Sequence, residues 1–310
     1  MEILVGYTGF VGSNIASNHN FDAIFNSKNI SHSFGLKPDL CIYAGIPSEK
    51  FIAEKNPDAD LGIIYNAINN IKRIQPRQLV LISTIDVYPR PFDVDENSEI
   101  EIVHTHPYGL HRFYLEQWVK DNLSNYLIIR LPALFGKNIK KNFIFDLINI
   151  VPSILSETKY LELSGISSLI KESYSFYKDG FYKCIVNSDQ QTALKSKFQM
   201  LDFSALNFTD SRISYQFYNL SYLWSHINIA LDRGLSLLNL AVEPVRVDEL
   251  YWALKGEQFI NEINEHIPNY DFKTRFAELF DGKNGYIFHK EKVVSDIYKF
   301  VIAEEMCNKT

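Results

Sequence analysis

Short apolar runs recur through the first half of the chain, separated by mixed stretches of helical period. Ile3-Leu4-Val5, Ala23-Ile24-Phe25, Leu40 to Ala44, Leu79 to Ile82 and Leu127-Ile128-Ile129 each read as a strand. None alternates apolar with polar, so both faces of each strand are expected to be covered. Helical period appears over Phe10–Ser17, over Asp58–Ile74 (Leu61, Ile64, Tyr65, Ile68 and Ile71) and over Tyr108–Asn122. Pro57 suits the start of the second helix and Pro76 its stop, while His106-Pro107 opens the third. Covered strands alternating with helices predict an α/β fold, a doubly wound parallel sheet between two helix layers.

The rhythm fails after residue 136. Residues 137–206 are rich in Lys, Ser, Tyr and Phe, with helical stretches at Phe143–Val151 and Thr192–Met200. Tyr218–Arg233 predicts a helix running into a late strand within Leu237–Val242, and Val247–Leu254 and Val293–Glu305 read as closing helices. Residues 1–136 are therefore expected as one domain, with 215–242 returning to it. The remainder of 137–310 is expected as mostly a smaller C-terminal lobe, with an atypical helical insertion near 140–205.

Composition narrows the class. The 310 residues are 46% hydrophobic and 22% charged, with a net charge of −6, as in an ordinary globular protein. Apart from Lys137, Lys140 and Lys141 there is no basic cluster, which argues against a nucleic-acid partner. Cys41, Cys184 and Cys307 are few, odd in number and far apart, as free thiols in a reducing compartment would be. With the first strand at the second residue and no apolar run of membrane-spanning length, a cytoplasmic protein without a membrane partner is expected. His104 and His106 stand as H-x-H without a cysteine or carboxylate to complete a set, so no metal is expected.

Candidate chemistry gathers where strands end. Gly6, Gly9 and Gly12 carry the first strand into the first helix, the arrangement by which an α/β protein seats a pyrophosphate on a helix N-terminus. The fourth strand runs into Ser83-Thr84, with Asp86 just beyond. Tyr108 and Arg112 stand at i and i+4 on one helix face, where a cation can lower the tyrosine's pKa from about 10. In an open parallel sheet these positions meet beyond the carboxyl ends of the strands.

In order and spacing these segments resemble the extended short-chain dehydrogenase/reductase family of sugar-nucleotide epimerases, dehydratases and reductases. GYTGFVG (Gly6 to Gly12) is similar to its cofactor turn, Ala44-Gly45 to the end of its third strand and Ser83-Thr84 with Val87-Tyr88 to its active-site strand. Tyr108 to Arg112 resembles its Y-x-x-x-K pair, and Arg130-Leu131-Pro132 its "RP" segment. Ser211-Arg212 and Leu238 to Ala241 are similar to its substrate-lobe arginine and late strand. The resemblance covers most of the chain, weakly through 140–205, and implies a Rossmann-type fold. It implies catalytic roles for Tyr108, Arg112 and Thr84, and cofactor contacts from Gly6, Thr8, Gly9, Phe10, Val11, Gly12, Ala44, Gly45, Ser83, Tyr108 and Arg112. Asp86 and Arg212 would touch substrate. It also implies a homodimer formed through helices Asp58–Ile74 and Tyr108–Asn122.

Two departures shape the expectation. Arg112 stands where the family has lysine, and its planar fork is no simple replacement for an ammonium. Ile85 and Asp86 stand where the family's dehydratases carry Asp and Glu, which argues against a 4,6-dehydratase. At the end of the second strand Asn26-Ser27-Lys28 replaces the acid that would bind an NAD ribose, so NADP is favoured over NAD. The chain is expected to be an NAD(P)-dependent epimerase or ketoreductase of a nucleotide-linked sugar, in cell-surface polysaccharide synthesis. The alternative, which Arg112 favours, is a catalytically silent dinucleotide-binding sensor or scaffold.

Overall fold

A computed structural model describes residues 1–307. The described residues divide into two units: Met1–Ile139, Ser214–Arg246 and Pro268–Ile297 form the first, and Lys140–Ile213, Val247–Ile267 and residues 298–307 the second.

The first unit is built on strands β1 (Glu2–Val5), β2 (Ala23–Phe25), β3 (Leu40–Tyr43), β4 (Leu79–Thr84) and β5 (Tyr126–Leu131). The strand Leu237–Asn239 completes one parallel sheet by pairing with β5. From one edge the order runs β2, β1, β3, β4, β5 and then Leu237–Asn239. Helices α1 (Phe10–Asn18), α2 (Lys50–Lys55), α3 (Pro57–Ile74) and α4 (Pro107–Asn122) occupy the connections. This is the Rossmann-type doubly wound fold. The winding reverses between β1 and β3, the switch point at which such sheets open a ligand crevice.

Continuous apolar strands are covered on both sides. Ile3, Val5, Cys41, Tyr43, Leu79, Leu81 and Ile128 pack with Ile64, Ala67, Ile71 and Ile74 of α3 and with Leu115 and Val119 of α4. The alternate residues Leu4, Ile42, Val80, Leu127 and Ile129 point to the other face and are fully buried too. Helix α3 starts as its sequence suggests. The Asn56 side chain accepts from the Ala59 amide, Pro57 sits at the first turn, and Gln75 ends the helix in the left-handed region.

Three expectations about elements are corrected. The helix expected from Tyr218 begins only at Leu223; Tyr218 and Asn219 belong instead to a strand, Phe217–Asn219, pairing in parallel with β6 (Ala133–Phe135). The run through Ser83 to Tyr88 leaves the sheet at Thr84, and Ile85–Val87 forms a single 3-10 turn. In the second unit, the stretch expected as helical also holds an antiparallel sheet of Ile154–Ser156, Tyr174–Lys178 and Phe181–Cys184. That sheet, with Leu163, Ile170, Leu194 and Phe198, encloses a separate apolar core.

Candidate functional site

At the switch point, β1 hands over to α1 through a turn that only glycine can make. Gly6 has φ +93°, and a Cβ there would lie 2.4 Å from the Ala44 carbonyl oxygen. A Cβ on Gly12 would lie 2.1 Å from the Gly6 oxygen. Gly9 caps α1 without a side chain, so the first amides of that nine-residue helix have no partner from its cap side chain. Thr8, Gly9 and Gly45 are exposed, and Phe10, Val11 and Ala44 half-buried around the turn. A cradle that side chains would fill, with helix amides facing out of it, fits the pyrophosphate of a dinucleotide.

Beside it, the end of β2 makes an Asx turn: the Asn26 side-chain oxygen accepts from the Lys28 amide, and its Nδ2 donates to the Tyr7 hydroxyl at 3.2 Å. Ser27 and Lys28 are exposed. Positions 26 to 29 carry no carboxylate.

A cavity of about 170 Å³ opens past the end of β4, lined by Lys50, Asp86, Tyr88, His104, Tyr108 and Tyr270 among others. Thr84 caps the 3-10 turn: its Oγ1 accepts from the Asp86 amide at 3.2 Å and donates to Asp86 Oδ2 at 2.9 Å. Asp86 Oδ1 takes the Lys50 ammonium at 2.6 Å. Tyr108 enters from the first turn of α4, which the His106 ring caps. Gly109 makes the approach possible, since a Cβ there would lie 1.8 Å from the Asp86 carbonyl oxygen. Burial pushes the Tyr108 phenol above its ordinary pKa; Arg112 and then Lys50 oppose this, while Asp86 and Asp60 add to it. The lowering expected from a neighbouring cation is outweighed by desolvation.

Arg112 does stack on Tyr108, with its guanidinium carbon 3.8 Å from the ring centroid. Its charge, however, is taken up inside the protein. Nη1 donates to Asp60 Oδ2 at 2.5 Å and to the Tyr108 carbonyl at 3.2 Å, and Nη2 donates to the Pro47 carbonyl at 2.8 Å. His111 Nδ1 lies 2.7 Å from the same Asp60 oxygen. Ser83 also turns inward, donating to Glu116, which pairs with Arg130 in a fully buried network closed by Tyr88. Arg212 belongs to the second unit, where Asp210 and Glu262 bind its guanidinium. Its hydrogen bonds hold the Asp210 carboxyl far below the usual range.

The structure thus brings Asp86 and Tyr108 to one cavity, with Thr84 bound to Asp86, and adds Lys50 and Gly109 to its lining and Asp60 behind Arg112, which sequence reasoning missed. A glycine inside a helical pattern was a readable signal for Gly109. Nothing in the sequence marks Lys50 or Asp60, whose partners lie on other elements. His106 Nε2 pairs with Glu54 at 3.1 Å, and among the described residues no group of three or more His, Cys, Asp or Glu could hold a metal ion. No helix among them is long and apolar enough to cross a membrane.

No family model and no curated protein matches the chain in sequence. Solved structures match in fold over nearly the whole length. The dTDP-4-dehydrorhamnose reductase of Bacillus anthracis, solved with NADP, is 16% identical, covers 97% of each chain and gives a TM-score of 0.61. RMD of Pseudomonas aeruginosa, solved with NADPH, is 13% identical over 98% of this chain and 99% of its own, with a TM-score of 0.63. The UDP-N-acetylglucosamine 4-epimerase of Methanobrevibacter ruminantium, in complex with UDP-N-acetylmuramic acid, is 12% identical over 100% and 98%, with a TM-score of 0.62.

Proposed function

We propose that the chain is an extended short-chain dehydrogenase/reductase that acts on a nucleotide-linked sugar with NADP, or secondarily NAD, as cofactor. The observation that carries this reading is a coincidence at the carboxyl ends of one sheet. A glycine cradle closed to a Cβ at Gly6 and Gly12 adjoins β3, and a cavity lined by Asp86 and Tyr108, with Thr84 hydrogen-bonded to Asp86, opens past β4. A nicotinamide dinucleotide bound in the cradle supplies a hydride donor or acceptor.

The chain's own groups supply the rest. The Tyr108 hydroxyl gives a proton to, or takes one from, the sugar oxygen that is reduced or oxidised. Thr84 hydrogen-bonds that oxygen and orients it. Tyr88 and Tyr270 offer apolar ring surface to the sugar, and burial of Tyr108 biases its phenol further towards the protonated form. Ile85 cannot carry a proton where a dehydratase has its acid, which favours epimerase or ketoreductase chemistry over water elimination. The exposed Lys28 and the missing carboxylate after β2 favour the 2′-phosphate of NADP. Tyr65 of α3 and Tyr114 of α4 are exposed large side chains suited to a homodimer through those helices.

NADPH is expected to raise the melting temperature more than NADH does, with about 2.7 kcal/mol of stabilisation at a hundredfold excess over Kd. Tyr108→Phe is expected to keep that shift and lose turnover on whichever nucleotide sugar of a broad panel the parent converts. A variant that turns over as the parent does sinks the mechanism. A second reading, a dinucleotide-binding sensor, is favoured by the internal neutralisation of Arg112 by Asp60. Binding of NADPH without hydride exchange across the whole panel would select it.

A further inference from the structure

The cation of the tyrosine's own helix is not the one that a ligand in the cavity would meet. Arg112 is 3% exposed and locked to Asp60, itself 2% exposed. Lys50 lies on a different helix, lines the cavity with Tyr108, and holds its ammonium 5.8 Å from the Tyr108 ring centroid. We propose that Lys50 is the positioning residue of this site, fixing Asp86 against Thr84 and supplying the accessible positive charge against which Tyr108 works. The proposal rests on the reading of Tyr108 as the proton-handling group.

The geometry is a chain of three groups joined by one carboxylate. Asp86 Oδ2 accepts the Thr84 hydroxyl proton while Oδ1 holds Lys50. With its proton committed to Asp86 and one lone pair to the Asp86 amide, Thr84 presents a ligand with an acceptor rather than a donor. A ligand hydroxyl that displaces Asp86 far enough to reach Thr84 can donate to it, whereas a ligand carbonyl requires Thr84 to let go of Asp86 altogether. Lys50 decides how firmly Asp86 holds, because its ammonium grips the second carboxylate oxygen and fixes the group's orientation.

The other charged groups around Tyr108 are matched among themselves. Arg112 on α4 and His111 beside it face Asp60 on α3, and His106 in the preceding loop faces Glu54 on α2. His104 lines the same cavity. Lys50–Asp86 is the pair that a ligand at Thr84 must disturb. Its ammonium, with a side chain 55% exposed, can then swing towards the phenol.

The test places 3-fluorotyrosine at position 108 of the full chain and follows its fluorine resonance against pH. Lys50→Met is expected to raise the labelled phenol's titration midpoint by roughly half a pH unit or more, allowing for solvent screening of a half-exposed charge. Lys50→Arg is expected to bring it back. Lys50→Gln substitutes for the methionine variant if that one folds poorly. A midpoint unchanged on removing the charge, or not recovered by arginine, overturns the proposal. NADPH thermal shifts on the same samples keep the two readings apart. An unlabelled parent that shows no shift removes the dinucleotide reading, while the fluorine titration still decides Lys50.

Discussion

Gly109 shows how much one hydrogen atom can decide. The first turn of α4 lies so close to the turn after β4 that a methyl group would overlap the Asp86 carbonyl oxygen. Gly109→Ala is expected to force the two apart, lowering the urea midpoint by an amount equivalent to about 2 kcal/mol and withdrawing Tyr108 from Thr84. A midpoint equal to the parent's would mean that the contact yields freely. At this scale legibility depended on whether a residue's role is local. Thr84, Asp86 and Tyr108 stand at element ends, where strand and helix signals give their place. Ser83, one residue from Thr84, points to Glu116 because strand neighbours face opposite ways, and a buried carboxylate on α4 awaited it. Arg112 has the helical phase expected of it, yet its charge goes to Asp60, a partner 52 residues away that no local pattern announces.

Between elements, Asp60 is the tie that joins α3 to α4. It accepts from Arg112 and lies against His111, both nearly solvent-free, so its removal would leave a buried guanidinium unmatched. Asp60→Asn is expected to cost about 3 kcal/mol by chemical denaturation, and Asp60→Asn with Arg112→Met much less than the sum of the two single changes. Additive losses would refute the coupling. The sheet's strands were legible because continuous apolar runs of three to five residues, repeated between helical stretches, are hard to satisfy otherwise. Phe217–Asn219 was not, since a three-residue strand passing through the single turn Leu220–Tyr222 into the helix carries no Gly or Pro to mark the change. The antiparallel sheet of the second unit did leave a signal. Asp179-Gly180, both with positive φ, makes the tight hairpin turn between Tyr174–Lys178 and Phe181–Cys184.

Across the whole molecule, a buried histidine and a half-buried carboxylate give stability opposite slopes against pH. In the first unit His226, hydrogen-bonded to Tyr218 and ringed by Tyr222, Phe280 and Phe288, is pushed down by burial to about 4. The unfolded chain takes up that proton near pH 6.5, so stability present above 6.5 is lost as pH falls towards 4, by up to roughly 3 kcal/mol. In the second unit burial raises the Asp146 carboxyl to about 7. The unfolded chain ionises near 3.8, so this group destabilises increasingly as pH rises from 4 to 7. His226→Gln is expected to flatten the acid limb of a denaturation-midpoint profile, and Asp146→Asn to raise the midpoint at pH 8. A profile unchanged by either variant would deny burial its role.

The sheet of the first unit is assembled from distant parts of the chain, and this has a consequence during synthesis. A ribosome delivers β1 to β5 by residue 131, but the strand that closes the sheet beside β5 arrives only at Leu237–Asn239. For more than a hundred residues of translation the nascent chain carries β5 as an open, largely apolar edge, a template for pairing with another chain. The second unit's first segment, with its own core, emerges in that interval. Slowing elongation across residues 140–236 should therefore lower soluble yield, and supplying a chaperone that shields nascent chains should restore it.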